Sequence, residues 1–179
     1  MKKDWAILLN FTLIGFINSQ LNNFRKIKDS WKKVVKGLIQ RVSSASVTVE
    51  NNIVGEIDNG ILLLLGIEKN DDESAVDKLV DKLLKLRIFP DDDGKMNKNI
   101  QDSRGKILVI SQFTLAADTS RGTRPGFSTA AHPELAKRLY DLFVDNLRSK
   151  FPFVETGIFA ADMKVALVND GPVTFMLEV

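Results

Sequence analysis

From residue 37 onward the chain moves between two hydrophobic periods. Leu38-Ile39-Gln40-Arg41-Val42 reads as a short strand, and Ser46 to Glu50 alternates polar with apolar residues at period 2. Asn51-Asn52 then precedes a second strand-like run, Ile53 to Ile57, and two turn-type residues between two such runs specify a hairpin. Asn59-Gly60 turns the chain into Ile61 to Ile67, apolar on both faces and therefore predicted to be a central strand. The period changes at Asn70. Val76, Leu79, Val80, Leu83 and Leu84 recur at helical spacing, Asp71 or Asp72 can cap the first turn, and Lys82 and Lys85 suit the far end of a helix dipole, so residues 70–86 predict an amphipathic helix. A second helix is predicted from His132-Pro133-Glu134 through Lys150, with Leu135, Leu139, Leu142, Phe143 and Leu147 as its core stripe. Strands at 163–168 and 173–179, joined by Asn169-Asp170-Gly171-Pro172, complete a mixed α/β pattern with two principal helices.

One stretch breaks this order in an informative way. Lys106 to Ile110 has the make-up of a buried strand, yet it runs straight into Ser111, Gln112 and Thr114 and then into a loop with Arg121, Gly122, Arg124, Pro125 and Gly126. Polar side chains held at the end of a core strand, beside a loop free to meet a ligand, are where a fold displays chemistry.

Composition narrows that chemistry. The 179 residues, 44% hydrophobic, suffice for one domain with a real core and are few for two. There is no cysteine, which removes disulfides, thiolate nucleophiles and the common zinc sites and is compatible with a reducing cytoplasm. The single histidine, His132, excludes a two-histidine metal site, and its place at a helix start favours a capping neighbour over a catalytic base. Asp91-Asp92-Asp93-Gly94 is no calcium loop, because the alternating spacing would require an oxygen ligand at Phe89, and neither Gly94-Lys95 nor Gly105-Lys106 carries the glycine of a phosphate-binding loop. No metal or cofactor is expected.

The net charge of +2 is unevenly spread. Residues 1–36 hold eight basic and two acidic residues, net +6, which leaves −4 for the remainder. An acidic body limits any nucleic-acid contact to a local basic patch, for which Arg121 and Arg124 are the candidates. Residues 1–36 imitate a signal peptide, with Lys2 and Lys3 before an apolar run, but Asp4, Asn10 and Thr12 interrupt the pattern and no small-residue cleavage site follows. They read as a basic and apolar extension, non-native or disordered, ahead of a domain at 37–179. Val35 is a possible alternative start, and no membrane association is expected.

Ser111-Gln112-Phe113-Thr114-Leu115-Ala116 followed at a distance by Asn169-Asp170-Gly171-Pro172-Val173-Thr174 closely resembles the D-aminoacyl-tRNA deacylase family, also called D-tyrosyl-tRNA deacylase. The likeness runs over essentially all of 37–179, including Ile39 to Val42, Arg87-Ile88-Phe89, Gly94 to Asn97, Arg124 to Phe127 and Ala161-Asp162-Met163, and departs from the family at Ile158, where an arginine is common. It implies a curved, barrel-like sheet, a homodimer, and hydrolysis in the cytoplasm of the ester between a D-amino acid, or glycine, and the terminal ribose of tRNA. Gly171 and Pro172, joined by a cis bond, would enter the partner's pocket and reject L side chains, with Arg41 supporting them. Ser111 and Gln112 would orient the ribose and ester, Thr114 with nearby backbone N–H groups would hold the reacting carbonyl or water while the substrate's 2′-hydroxyl assists attack, and Phe113, Phe159 and Met163 would line the pocket. The competing expectation is a non-catalytic module that binds RNA ends through stacked phenylalanines.

Overall fold

The computed structural model describes residues 35–179, and the apolar and basic segments expected over 1–34 lie outside the described residues. Among the described residues, eight strands and two α-helices follow in the order β1 (Lys36–Val49), β2 (Asn52–Ile57), β3 (Gly60–Gly66), α1 (Glu73–Lys85), β4 (Phe89–Pro90), β5 (Met96–Lys98), β6 (Lys106–Ser111), a 3-10 turn (Phe113–Ala116), α2 (Pro133–Lys150), β7 (Val154–Thr156) and β8 (Lys164–Glu178). The main sheet runs β2-β1-β3-β6-β7, and β8 pairs along β1.

Two expected breaks are not breaks. Residues 38–42 and 46–50 belong to the single strand β1, because β8 pairs antiparallel along its whole length while β3 covers its first half and β2 its second. One partner common to both halves keeps the backbone extended through Ser43 and Ser44. Likewise 163–168 and 173–179 are joined in β8. Gln40 stands opposite Thr174 and Val42 opposite Asn169, so residues 170–173 leave the ladder as a four-residue excursion.

Strands β3 and β6 are parallel, with α1 in the crossover that such pairing needs, and both are buried on two faces. Ile61, Leu63, Leu65, Ile107 and Val109 pack against the buried stripes of both helices, whereas Leu62, Leu108 and Ile110 join Val42, Val47 and Ile57 in a second core inside the curve of the sheet. That curve nearly closes. Gly55 of β2 lies so near β7 that a Cβ there would stand 2.7 Å from the Thr156 carbonyl oxygen, and only a residue without a side chain permits this approach. Asp72, rather than Asp71, caps α1 by accepting from the Ala75 N–H, while Asp71 accepts from the Glu68 N–H. Glu73 to Arg138, Asp77 to Asn146 and Asp81 to Lys150 then bridge the two helices, the partner numbers rising together because the helices run the same way. No helix among the described residues is long and apolar enough to cross a membrane.

Candidate active site

The parallel strands β3 and β6 end side by side, and the C-terminal ends of parallel strands are where open α/β sheets collect ligands. Here the Gln112 N–H donates to the Leu65 carbonyl at 2.8 Å, which carries the end of β6 over the end of β3. The chain then tightens into the 3-10 turn. Gly66 makes this possible, since a Cβ on it would lie 2.8 Å from Leu115 Cβ and 3.2 Å from the Gln112 carbonyl oxygen.

Beside this turn lies a cavity of about 480 Å³. Ile110, Ser111, Gln112 and Phe113 form one wall, Phe159 and Met163 another, and Ala130, Ala131, Pro133, Ala136 and Tyr140 a third. The lining is mainly apolar with a few polar groups along one edge, the usual composition of a small-molecule site. Gln112 Nε2 donates to Thr114 Oγ1 at 2.6 Å. The threonine oxygen is thus engaged as an acceptor, and its own hydrogen remains to be donated. The Phe113 and Thr114 amides open the 3-10 turn, where backbone N–H groups have no intrahelical acceptor.

The expected site residues divide into three groups. Ser111, Gln112, Phe113, Phe159 and Met163 meet at the cavity, and Thr114 adjoins it through Gln112. Arg121 and Arg124 lie on the exposed loop between the bridged residues Asp118 and Gly126. Ser120 fixes the start of that loop through bonds that hold the Asp118 carboxyl below its usual range. Its far end brings Phe127 against Phe113, ring centroids 5.1 Å apart, with Phe113 still 60% exposed. Arg41, Gly171 and Pro172 form the third group and do not line their own chain's cavity. Arg41 is buried and donates from Nε to the Asp170 carbonyl at 3.0 Å and from Nη1 to the Ile88 carbonyl at 2.6 Å. Asn169 closes the neck of the excursion, its Oδ1 accepting from the Val173 N–H at 2.7 Å. At the tip the Gly171–Pro172 bond is cis and both residues are exposed.

His132 occupies the N-cap position of α2 without making a side-chain cap bond, and it is exposed. No group of three or more His, Asp or Glu residues among the described residues could hold a metal ion. The sequence pattern missed the α2 wall. The one available signal was size, because Ala130 and Ala131 just before α2 and Ala136 in its first turn precede a stripe of Leu and Phe, and small residues there leave room. It also missed Gly66 and Tyr140.

The sequence model of the D-Tyr-tRNA(Tyr) deacylase family matches residues 38–178. A D-aminoacyl-tRNA deacylase of Cellvibrio japonicus (strain Ueda107) is 65% identical over 142 residues, covering 79% of this chain and 97% of that protein. The enzyme of the same name from Escherichia coli O81 (strain ED1a) is 58% identical over 142 residues, covering 79% of this chain and 98% of that protein. A solved structure described as the c-Myc DNA unwinding element binding protein is 39% identical with a TM-score of 0.77, covering 80% of this chain and 98% of that one. A second, described as a probable eukaryotic D-amino acid tRNA deacylase, has a TM-score of 0.72 at 16% identity over 82% of this chain and all of that one, a likeness of fold alone. With a family match that spans nearly all the described residues, and relatives well above half identical, this chain belongs to the D-Tyr-tRNA(Tyr) deacylase family.

Proposed function

We propose that this chain hydrolyses the ester of D-aminoacyl-tRNA, and of glycyl-tRNA mischarged on tRNA(Ala), releasing the free amino acid and tRNA. The observation that carries the reading is the polar edge Ser111-Gln112-Thr114 set along an apolar cavity that contains no general base. Such a site suits an activated ester whose own vicinal 2′-hydroxyl assists the attack of water. The carbonyl carbon gains the water oxygen, the bond to the ribose oxygen breaks, and a proton passes to that oxygen. Ser111 and Gln112 orient the ribose and ester, and Thr114 with the Phe113 and Thr114 amides donates to the oxygen that becomes negative. Such donors are commonly worth roughly 2.7 to 4 kcal/mol. Phe113, Phe159 and Met163 wall the substrate, and Arg121 and Arg124 meet tRNA phosphates beside it.

In this reading the active form is a homodimer. The Gly171-Pro172 tip is exposed and outside its own cavity, and β8 exposes the apolar side chains Val168, Phe175 and Met176, which a second copy can cover. Inserted into the partner's pocket, the tip's backbone carbonyls hold the substrate amino group and its bulk occupies the direction of an L side chain. A D side chain points elsewhere, and glycine has none to reject. Residues 37–179 are the catalytic domain, residues 1–36 an extension, and the cytoplasm, where tRNA is charged, the working compartment.

The test is hydrolysis of D-tyrosyl-, L-tyrosyl- and glycyl-tRNA by the purified full-length chain, with release of amino acid followed over time. Release from the D and glycyl esters alone is expected. Binding of all three without turnover would replace the enzyme by an RNA-end-binding module, and indiscriminate release would remove the filter assigned to Gly171 and Pro172. Thr114→Ala is expected to keep measurable activity at a rate lowered by about 100-fold, the lower end for one lost donor, because the amide donors and the 2′-hydroxyl remain. Abolished turnover in a folded variant would instead make the threonine hydroxyl indispensable and count against substrate assistance.

A further inference from the structure

Three elements build the cavity, and one backbone carbonyl joins them. Val109, two residues before Ser111, accepts from the Gly157 N–H at 3.1 Å and from the Tyr140 hydroxyl at 3.1 Å. The first bond fixes the segment that leads to Phe159 and Met163, and the second fixes α2. Tyr140 then reaches the same wall a second way, its ring packing on Phe159 with centroids 5.5 Å apart and planes inclined at 51°. Its residue lines the cavity and is only 5% exposed. Burial pushes the phenol up to about 12, so the hydroxyl remains a donor at any working pH.

A buried tyrosine needs an acceptor for its hydroxyl, and here the acceptor is an oxygen at the base of the catalytic edge. The Val109 carbonyl already has the Gly157 N–H, and the apolar ring alone would fill the space beside Leu139 and Phe143. What the hydroxyl adds is a fixed distance between α2 with Phe159 on one side and the strand that ends in Ser111 on the other. We propose that Tyr140 is a positioning residue for the hydrolysis: through Val109 and Phe159 it sets the gap in which the aminoacyl-ribose end lies against the Ser111–Thr114 edge. The inference rests on the proposed function.

Tyr140→Phe removes the hydroxyl and keeps the ring. Its expected effect is a loss of about tenfold in kcat for D-tyrosyl-tRNA with KM changed less than about twofold, because the substrate still binds but its ester lies off the donors. A folded Tyr140→Phe variant with parental kcat overturns the proposal, as does a loss confined to KM. Tyr140 is the chain's one tyrosine, so 3-fluorotyrosine gives a single fluorine resonance that needs no turnover. That resonance is expected to shift when a non-hydrolysable amide analogue of 3′-D-tyrosyl-adenosine binds, and an unchanged resonance at saturation overturns the proposal even if the variant fails to fold. The two failures separate. A parent chain that hydrolyses no D-aminoacyl ester refutes the proposed function, whereas an active parent with an indifferent Tyr140→Phe variant refutes this inference alone.

Discussion

Arg41→Met is expected to lower the preference for D- over L-tyrosyl-tRNA at least tenfold and to remove about 3 kcal/mol of stability. The two effects have one origin. Arg41 is 8% exposed, and its guanidinium satisfies the carbonyls of Asp170 and Ile88 with charged donors. Methionine keeps most of the apolar stem but leaves both oxygens without those donors, and charge-assisted bonds contribute roughly 1.5 to 3 kcal/mol each. The neck of the excursion survives, because Asn169 still binds Val173, so the fold is retained while the Asp170–Pro172 tip loses its tether. A filter that works by bulk fails when the bulk can move. Asp170→Asn provides the contrast: the Asp170 carboxylate is half-exposed and screened, and the contact to its backbone carbonyl is independent of the side chain, so selectivity is expected to persist. Hydrolysis rates of both tyrosyl esters, with thermal unfolding of each variant, decide the matter. Lost stability with parental selectivity would make Arg41 a core residue only.

Gly66→Ala is expected to reduce kcat on the order of 100-fold in a protein that still folds. The new methyl group would lie 2.8 Å from Leu115 Cβ and 3.2 Å from the Gln112 carbonyl oxygen. Neither atom can turn aside as the end of a long side chain would, so the 3-10 turn must shift bodily, and a displacement of about 1 Å is enough to cost roughly 10²-fold when the moved groups orient a reacting centre. Overpacking of this kind also costs about 1 to 3 kcal/mol, which thermal unfolding will register. Single-turnover hydrolysis of D-tyrosyl-tRNA separates chemistry from binding. A folded Gly66→Ala variant with parental turnover would show that the Gln112–Thr114 pair is not the machinery.

Both substitutions act at places that the linear pattern described only in part. Arg41 reads, by periodicity, as one of two adjacent polar residues in a short apolar strand, and the family likeness alone gave it a task. Its partners lie 47 and 129 residues away, and no local rule connects them. Gly66 reads as a gap in an apolar run. The need for it comes from a turn nearly fifty residues later that happens to cross the same strand end. Tyr140 sits one position after a predicted core leucine, and only the meeting of α2 with β6 gives its hydroxyl an acceptor.

Periodicity and turn chemistry were enough for the two helices, the double-faced strands β3 and β6, the cap at Asp72 as one of two candidates, and the placing of polar residues at the end of β6. Each of these depends on residues within a few positions of one another, where spacing fixes which face is apolar. The two motifs around Ser111 and Asn169 gave the family, because long runs in fixed order carry more information than any single residue. Tertiary structure alone decided that β1 and β8 are continuous, since a strand's extent depends on its partner. It also decided that the sheet curls until Gly55 meets Thr156, and that the cavity takes its third wall from α2. These are consequences of long-range pairing and of shape. They follow from which surfaces come to share a space, and a one-dimensional pattern does not contain that information.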